Sequence, residues 1–147
     1  MVNIIFDYNQ TLFNPDENKL YNGVYELLEK LYKEFSLFLF SYNEFGREKF
    51  MKDSKIEKFF KNVALVNKKN ETNMLQLVEA FPAEITLVVG DSLRDEIAIG
   101  NELGYETVWL KKGKFASETP RKEKEKPKYT IHALEEIFEI TEKYKKE

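Results

Sequence analysis

Cysteine is absent from this chain, histidine occurs once, at His132, and glutamine only at Gln10 and Gln76. Without cysteine, neither a disulfide framework nor a thiolate metal site can form. A single histidine excludes the multi-histidine centres that zinc hydrolases need. No apolar run approaches the roughly 18 residues required to cross a bilayer, so no membrane partner is expected. Charge of one sign is also lacking: 23 Lys and Arg face 26 Asp and Glu, for a net charge of −3. That balance leaves no basic footprint for nucleic acid and no acidic tail of the disordered kind. The chain opens on an apolar strand with no charged n-region, so no secretion signal is expected and a cytoplasmic location is the default. Scarce Gln and absent Cys beside abundant Lys and Glu resemble a hyperthermophile composition. A melting midpoint near about 50 °C, inside the mesophile range, contradicts that reading.

What is present suits one folded domain over residues 1–147. Hydrophobic residues make up 42% and aromatics 14% of the 147 positions, which is enough for a core of its own. Short apolar runs alternate with helical periods. Strands are predicted at Val2 to Phe6, Leu37 to Phe40, Val63 to Val66, Ile85 to Val89 and Thr107 to Leu110, with a sixth at Tyr129 to Ile131. Val24, Leu27, Leu28 and Leu31 keep the i, i+3, i+4, i+7 spacing of an amphipathic helix. Further helices are predicted from about Glu44 to Phe60, around Met74 to Phe81, from Leu93 to about Leu103 with Gly104 as its C′ residue, and from Leu134 to Tyr144. Continuous apolar strands separated by helices imply an α/β fold, a parallel sheet of five to six strands with helices on both faces. Lys111 to Lys128, polar and interrupted by Pro120 and Pro127, reads as a solvated loop.

In such a sheet the carboxyl ends of the strands share one edge, where α/β proteins bind ligands. Four of the predicted strands end in polar residues there. The first ends at Asp7, followed by Asn9 and Thr11. The second runs into Ser41, Tyr42 and Asn43. The third precedes Asn67, Lys68 and Lys69. The fourth ends at Gly90-Asp91-Ser92, with Asp95 four residues on. A carboxylate can act as a covalent nucleophile. Two carboxylates held together repel unless a cation sits between them, and an all-oxygen donor set suits Mg²⁺. Each residue taken alone is more often a cap or turn residue; the order and the shared edge carry the signal.

This pattern resembles the haloacid dehalogenase (HAD) superfamily over essentially the whole chain. Phe6-Asp7-Tyr8-Asn9-Gln10-Thr11-Leu12 is similar to the nucleophile motif, Phe40-Ser41 to the second, Lys68 or Lys69 to the third, and Val89-Gly90-Asp91-Ser92-Leu93-Arg94-Asp95-Glu96-Ile97 to the fourth. The resemblance implies a three-layer, Rossmann-like core and a Mg²⁺-dependent phosphatase acting on a phosphorylated small molecule or macromolecule. It implies Asp7 as nucleophile, forming an aspartyl-phosphate. Asp91 and the residue 9 carbonyl would hold Mg²⁺ with Asp7, assisted by Asp95. Ser41 and Lys69 would bind phosphate, with Thr11, Asn43 and Lys68 as further candidates. Lys69 keeps the following helix in the family register and is the favoured lysine.

Two departures stand out. Asn9 occupies the position of the family's second aspartate, which exchanges protons with leaving group and water; an amide cannot. Because general acid–base work is worth roughly 10²–10⁴-fold, turnover is expected to be slow. The alternative is a non-catalytic relative that binds Mg²⁺, phosphate or a partner. Neither Thr11 to Ser41 nor Ser41 to Asp91 leaves room for a cap domain. The site is therefore expected to be open, and a homo-oligomer that closes it stays in view.

Overall fold

The computed structural model describes residues 2–145. In chain order its elements are β1 (Val2–Asp7), β2 (Phe13–Asn14), β3 (Lys19–Leu20), α1 (Val24–Leu31), β4 (Ser36–Tyr42), α2 (Arg47–Asp53), β5 (Phe60–Val66), α3 (Glu71–Val78), β6 (Ile85–Gly90), α4 (Ala98–Glu102), β7 (Glu106–Leu110), β8 (Tyr129–Ile131) and α5 (Ile137–Glu142). Six strands form one sheet in the order β5-β4-β1-β6-β7-β8. All its pairings are parallel, as continuous apolar runs joined by helical crossovers require. β2 and β3 form a separate antiparallel hairpin directly after β1.

Side chains alternate across the sheet and build two cores. Ile4, Phe6, Leu37, Leu39, Leu87 and Val89 pack with Val24, Leu27, Leu28 and Leu31 of α1 and Ile137 and Ile140 of α5. Ile5, Phe38, Phe40 and Val88 pack with Met74, Leu77 and Val78 of α3 and Ile99 of α4. The result is the three-layer, Rossmann-like arrangement expected. Each fully buried aliphatic side chain contributes roughly 1.5–3 kcal/mol, an upper value because the unfolded chain already shields some area. Between Asp7 and Ser41 lie only the short hairpin and α1, and between Ser41 and Asp91 only α2, β5, α3 and β6 with their connections. Among the described residues there is no cap domain.

Several predicted helices are shorter. The run from Glu44 to Phe60 is helical only over α2; Lys55 adopts a left-handed conformation (φ 64°) that stops it, and a 3₁₀ turn at Glu57–Phe59 leads into β5. The stretch from Leu93 to Leu103 divides into a wide π-type turn, Leu93–Ile97, and α4, with Gly104 at φ 78° ending it. The closing helix starts as a 3₁₀ turn at Leu134–Glu136. The segment read as a solvated loop, Lys111 to Lys128, is partly integrated into the fold. Glu125 is buried, and the Asn101 side chain donates to the carbonyls of Lys124 and Lys126 at 2.7 and 2.8 Å.

Candidate active site

β1 delivers Asp7 to the carboxyl edge of the sheet, between Phe40 on β4 and the end of β6. Beyond it the chain turns tightly, with the N–H groups of Thr11, Leu12 and Phe13 all directed to the Tyr8 carbonyl. The turn brings the Thr11 hydroxyl back to donate to Asp7 Oδ2 at 3.2 Å. Gln10 sits at the turn's crest with φ 62°, a left-handed conformation costly for a residue with a side chain.

Lys69 closes on Asp7 from the other side. Asn70 caps α3, its Oδ1 accepting the Asn73 N–H at 2.8 Å, and so fixes where the helix begins and where the preceding side chain points. Lys69 Nζ donates to Asp7 Oδ1 at 2.7 Å and to Glu96 Oε2 at 3.2 Å. Burial opposes charge on this lysine, but Asp7 and Glu96 together raise its pKa. Lys68 is exposed and does not line the cleft.

The end of β6 supplies the carboxylates. The wide turn after Asp91 lets the adjacent residues Asp95 and Glu96 both line the cleft, where a regular helix would set them about 100° apart. Glu96 is buried and fully engaged: Oε1 accepts the N–H groups of Asp91 and Ser92 at 3.0 and 3.2 Å, while Oε2 meets Lys69. It crosses so closely over the strand end that a Cβ on Gly90 would overlap its Cγ and Oε1. The Trp109 indole donates to the Asp91 carbonyl at 3.0 Å. Glu118, from the loop after β7, accepts the Leu93 N–H at 2.8 Å and pairs with Arg94 at 3.0 Å.

Asp7, Asp91 and Glu96 present ligand atoms within 4.8 Å of one another. Burial and the neighbouring Asp7 and Glu96 push the Asp91 carboxyl up to about 10. Burial and Asp7 push Glu96 up to about 7 against the pull of Lys69. Burial raises Asp95 as well. Such a cluster is relieved either by protons or by a cation, and its oxygen-only donors fit a hard divalent ion. The expected metal set contained Asp95 and not Glu96; here Glu96 stands in the tight cluster and Asp95 at its margin.

The cleft has a volume of about 200 Å³ and is lined by Asp7, Asn9, Ser41, Lys69, Asp91 and Asp95, among others. Ser41 is buried and its Oγ donates to the Tyr42 carbonyl at 3.0 Å. Asn43 is exposed and faces a neighbouring groove instead. Asn9 is half-buried at the cleft wall.

Besides Glu44 and Glu96, three cleft residues had no role in the sequence reading. Arg47, the first residue of α2, is buried; it reaches back to Ser41 Oγ, donates to Glu44 at 2.9 Å and lies 4.6 Å over the Tyr8 ring. Gly46 before it, at φ 79°, is the local signal for that reversal. Lys114 and Phe115 come from the loop after β7, where Gly113, also at φ 79°, is the corresponding local signal.

The profile of the family described as HAD-hydrolase-like matches residues 65–137, from the end of β5 to the start of α5. YfnB of Bacillus subtilis, a protein named as a HAD-hydrolase, is 26% identical over 140 residues, covering 87% of this chain. The chain spans 57% of that relative's length. The crystal structure of YfnB, bound to magnesium, superimposes with a TM-score of 0.71 over 85% of this chain and 57% of its own. D,D-heptose 1,7-bisphosphate phosphatase from B. bronchiseptica, complexed with magnesium and phosphate, shares the fold at 13% identity with a TM-score of 0.77, covering 98% of this chain and 99% of its own. A haloacid dehalogenase-like hydrolase from Burkholderia xenovorans gives a TM-score of 0.79 at 14% identity over 97% of each chain.

Proposed function

We propose that this chain, which belongs to the haloacid dehalogenase superfamily, is a Mg²⁺-dependent phosphohydrolase whose nucleophile is Asp7. The observation that carries the proposal is the setting of Asp7: a carboxylate at a strand end, held at 2.7 Å by a buried lysine and at 3.2 Å by a threonine hydroxyl, in a cleft shared with Ser41, Asp91 and Asp95.

In the first step an Asp7 oxygen attacks phosphorus and a P–O bond to Asp7 forms as the ester P–O bond breaks. The leaving oxygen departs with the bonding electrons and takes its proton from solvent, because Asn9 has none to give. In the second step water attacks the aspartyl-phosphate, losing a proton to solvent, and Asp7 is restored as phosphate leaves. Ser41 and Lys69 bind phosphoryl oxygens and offset their charge, and Arg47 orients Ser41. Asp7, Asp91 and the residue 9 carbonyl, with Asp95, would hold Mg²⁺, which would neutralise charge on the transferring group. The fit rests on Asp7 and Asp91, two buried carboxylates of one cluster whose third member, Glu96, is taken up by two backbone amides and Lys69; Lys69 balances only part of the cluster's charge. The magnesium in YfnB and in the heptose bisphosphate phosphatase supports the same choice of ion.

Nitrophenyl phosphate with Mg²⁺ tests this, because its leaving group needs no acid. Weak wild-type turnover is expected, with a gain in Asn9→Asp and loss in Asp7→Asn. A silent wild type that Asn9→Asp does not revive refutes the enzyme reading. That outcome favours the second reading, a relative that binds Mg²⁺ and phosphate, or a partner, without turnover; Asn9 is the residue that favours it.

A further inference from the structure

The loop after β7 is pinned at three points. Gln10 Oε1 accepts the Lys114 N–H at 2.9 Å across 104 residues of sequence. Gly113 beside it holds φ 79°, which favours glycine, and a Cβ there would push the Gln10 amide away from the Lys114 N–H. Lys112 lies 3.6 Å over the Tyr21 ring next to the β2–β3 hairpin, and Glu118 ties the far end to Leu93, Ser92 and Arg94. A loop held this way keeps Lys114 and Phe115 at the rim of the cleft.

Lys114 differs from the other two cations there. Lys69 is paired with Asp7 and Glu96, and Arg47 with Glu44. Lys114 makes no ion pair among the described residues; its ammonium lies 5.0 Å over the Phe115 ring. It is therefore the cation free to meet a charge brought by a ligand. The cleft is otherwise rich in carboxylates, so an anionic group beyond the phosphoryl has one place to be matched.

We propose that Lys114 and Phe115 form the leaving-group subsite, and that the substrate is a small phosphomonoester carrying a second anionic group a few bonds from the ester. Lys114 takes the anion and the Phe115 ring flanks the carbon chain between. The inference rests on the phosphohydrolase reading for the place of the first phosphoryl group.

Calorimetry in Mg²⁺ with three non-hydrolysable ligands tests it: propylphosphonate, 3-phosphonopropionate and propane-1,3-bisphosphonate. The wild type is expected to bind at least one charged-tail ligand about tenfold more tightly than propylphosphonate, the scale of one charge-assisted contact. Whether carboxylate or second phosphonate gains more identifies the tail. In Lys114→Ala the preference collapses to within about twofold, and in Gln10→Ala, which frees the loop, it weakens by about threefold. Lys114 is exposed, so its variant folds, as a thermal melt would verify. Equal binding of all three ligands by the wild type overturns the inference while leaving phosphate recognition intact. Binding of none, or a preference that survives Lys114→Ala, overturns it as well. Loss of preference in Lys114→Ala beside a silent nitrophenyl assay upholds the subsite and refutes hydrolysis instead.

Discussion

Replacing Gly90 with alanine tests whether Glu96 organises this site. The backbone of Gly90 is not in the left-handed region, so the cost arises from contact alone. The new Cβ would overlap Glu96 Cγ, an atom close to its own backbone, as well as Oε1. Glu96 must therefore be displaced, and its three hydrogen bonds go with it: those from the Asp91 and Ser92 amides and from Lys69. A buried donor left without a partner costs about 1–3 kcal/mol. Relief of repulsion among Asp7, Asp91 and Glu96 offsets part of this, so both Gly90→Ala and Glu96→Ala should cost about 2–4 kcal/mol. In the double variant the methyl group enters the space the glutamate vacated and should add little. The expected coupling is about 2–3 kcal/mol, well above the roughly 0.5 kcal/mol within which independent sites add. Urea unfolding of the four proteins, fitted with a shared slope, measures it. Additive costs would refute the claim that Glu96 is the reason for glycine at the end of β6.

Other consequences are simpler to state. Lys69→Met should lower nitrophenyl phosphate turnover by about 10²-fold or more, whereas Lys68→Ala, an exposed position, should change it less than about twofold; equal losses would mean the two lysines share the work. Mg²⁺ at about 100 times its dissociation constant should stabilise the protein by about 2.7 kcal/mol, read as a rise in melting temperature, and Asp91→Asn should abolish that rise; a variant that still responds fully would remove Asp91 from the metal set. At the start of the C-terminal helix, the His132 and Ala133 amides donate to Glu136 and lower its pKa. A depressed folded pKa means stability that is present above the ordinary glutamate value of about 4.3 and lost as pH falls through the folded value. The stability gap between wild type and Glu136→Gln should accordingly be full near neutrality and close in acid; a gap unchanged by pH would contradict the assignment.

The parts of the fold and site that were legible in the sequence share a physical cause. A parallel strand buried on both faces must be a continuous apolar run, so its end is visible wherever the run meets a polar residue. Asp7, Ser41 and Asp91 are all such ends. Lys69 could be placed only to within one residue, because Lys68 stands beside it. The Asn70–Asn73 cap settles which lysine points inward, by fixing where α3 begins. Glu96 stands within the fourth motif but carries no role there, since neighbours on a regular helix do not face the same way; the wide π-type turn brings both Asp95 and Glu96 to the cleft. Its trace in the sequence was Gly90, read as part of a motif and not as room for a side chain six residues on. Lys114 and Phe115 left only Gly113 as a trace, since what positions them at the cleft includes Gln10, 104 residues away. The strand ends of this fold announce the polar residues on which the proposed phosphoryl chemistry rests, because their burial shapes the local sequence. The rim that would choose the substrate is built by contacts between loops, and a contact between loops constrains two distant residues without patterning either neighbourhood. Gln10 shows both sides of this: in its own turn it is a costly left-handed residue, and its bond to the Lys114 amide accounts for a side chain at that position.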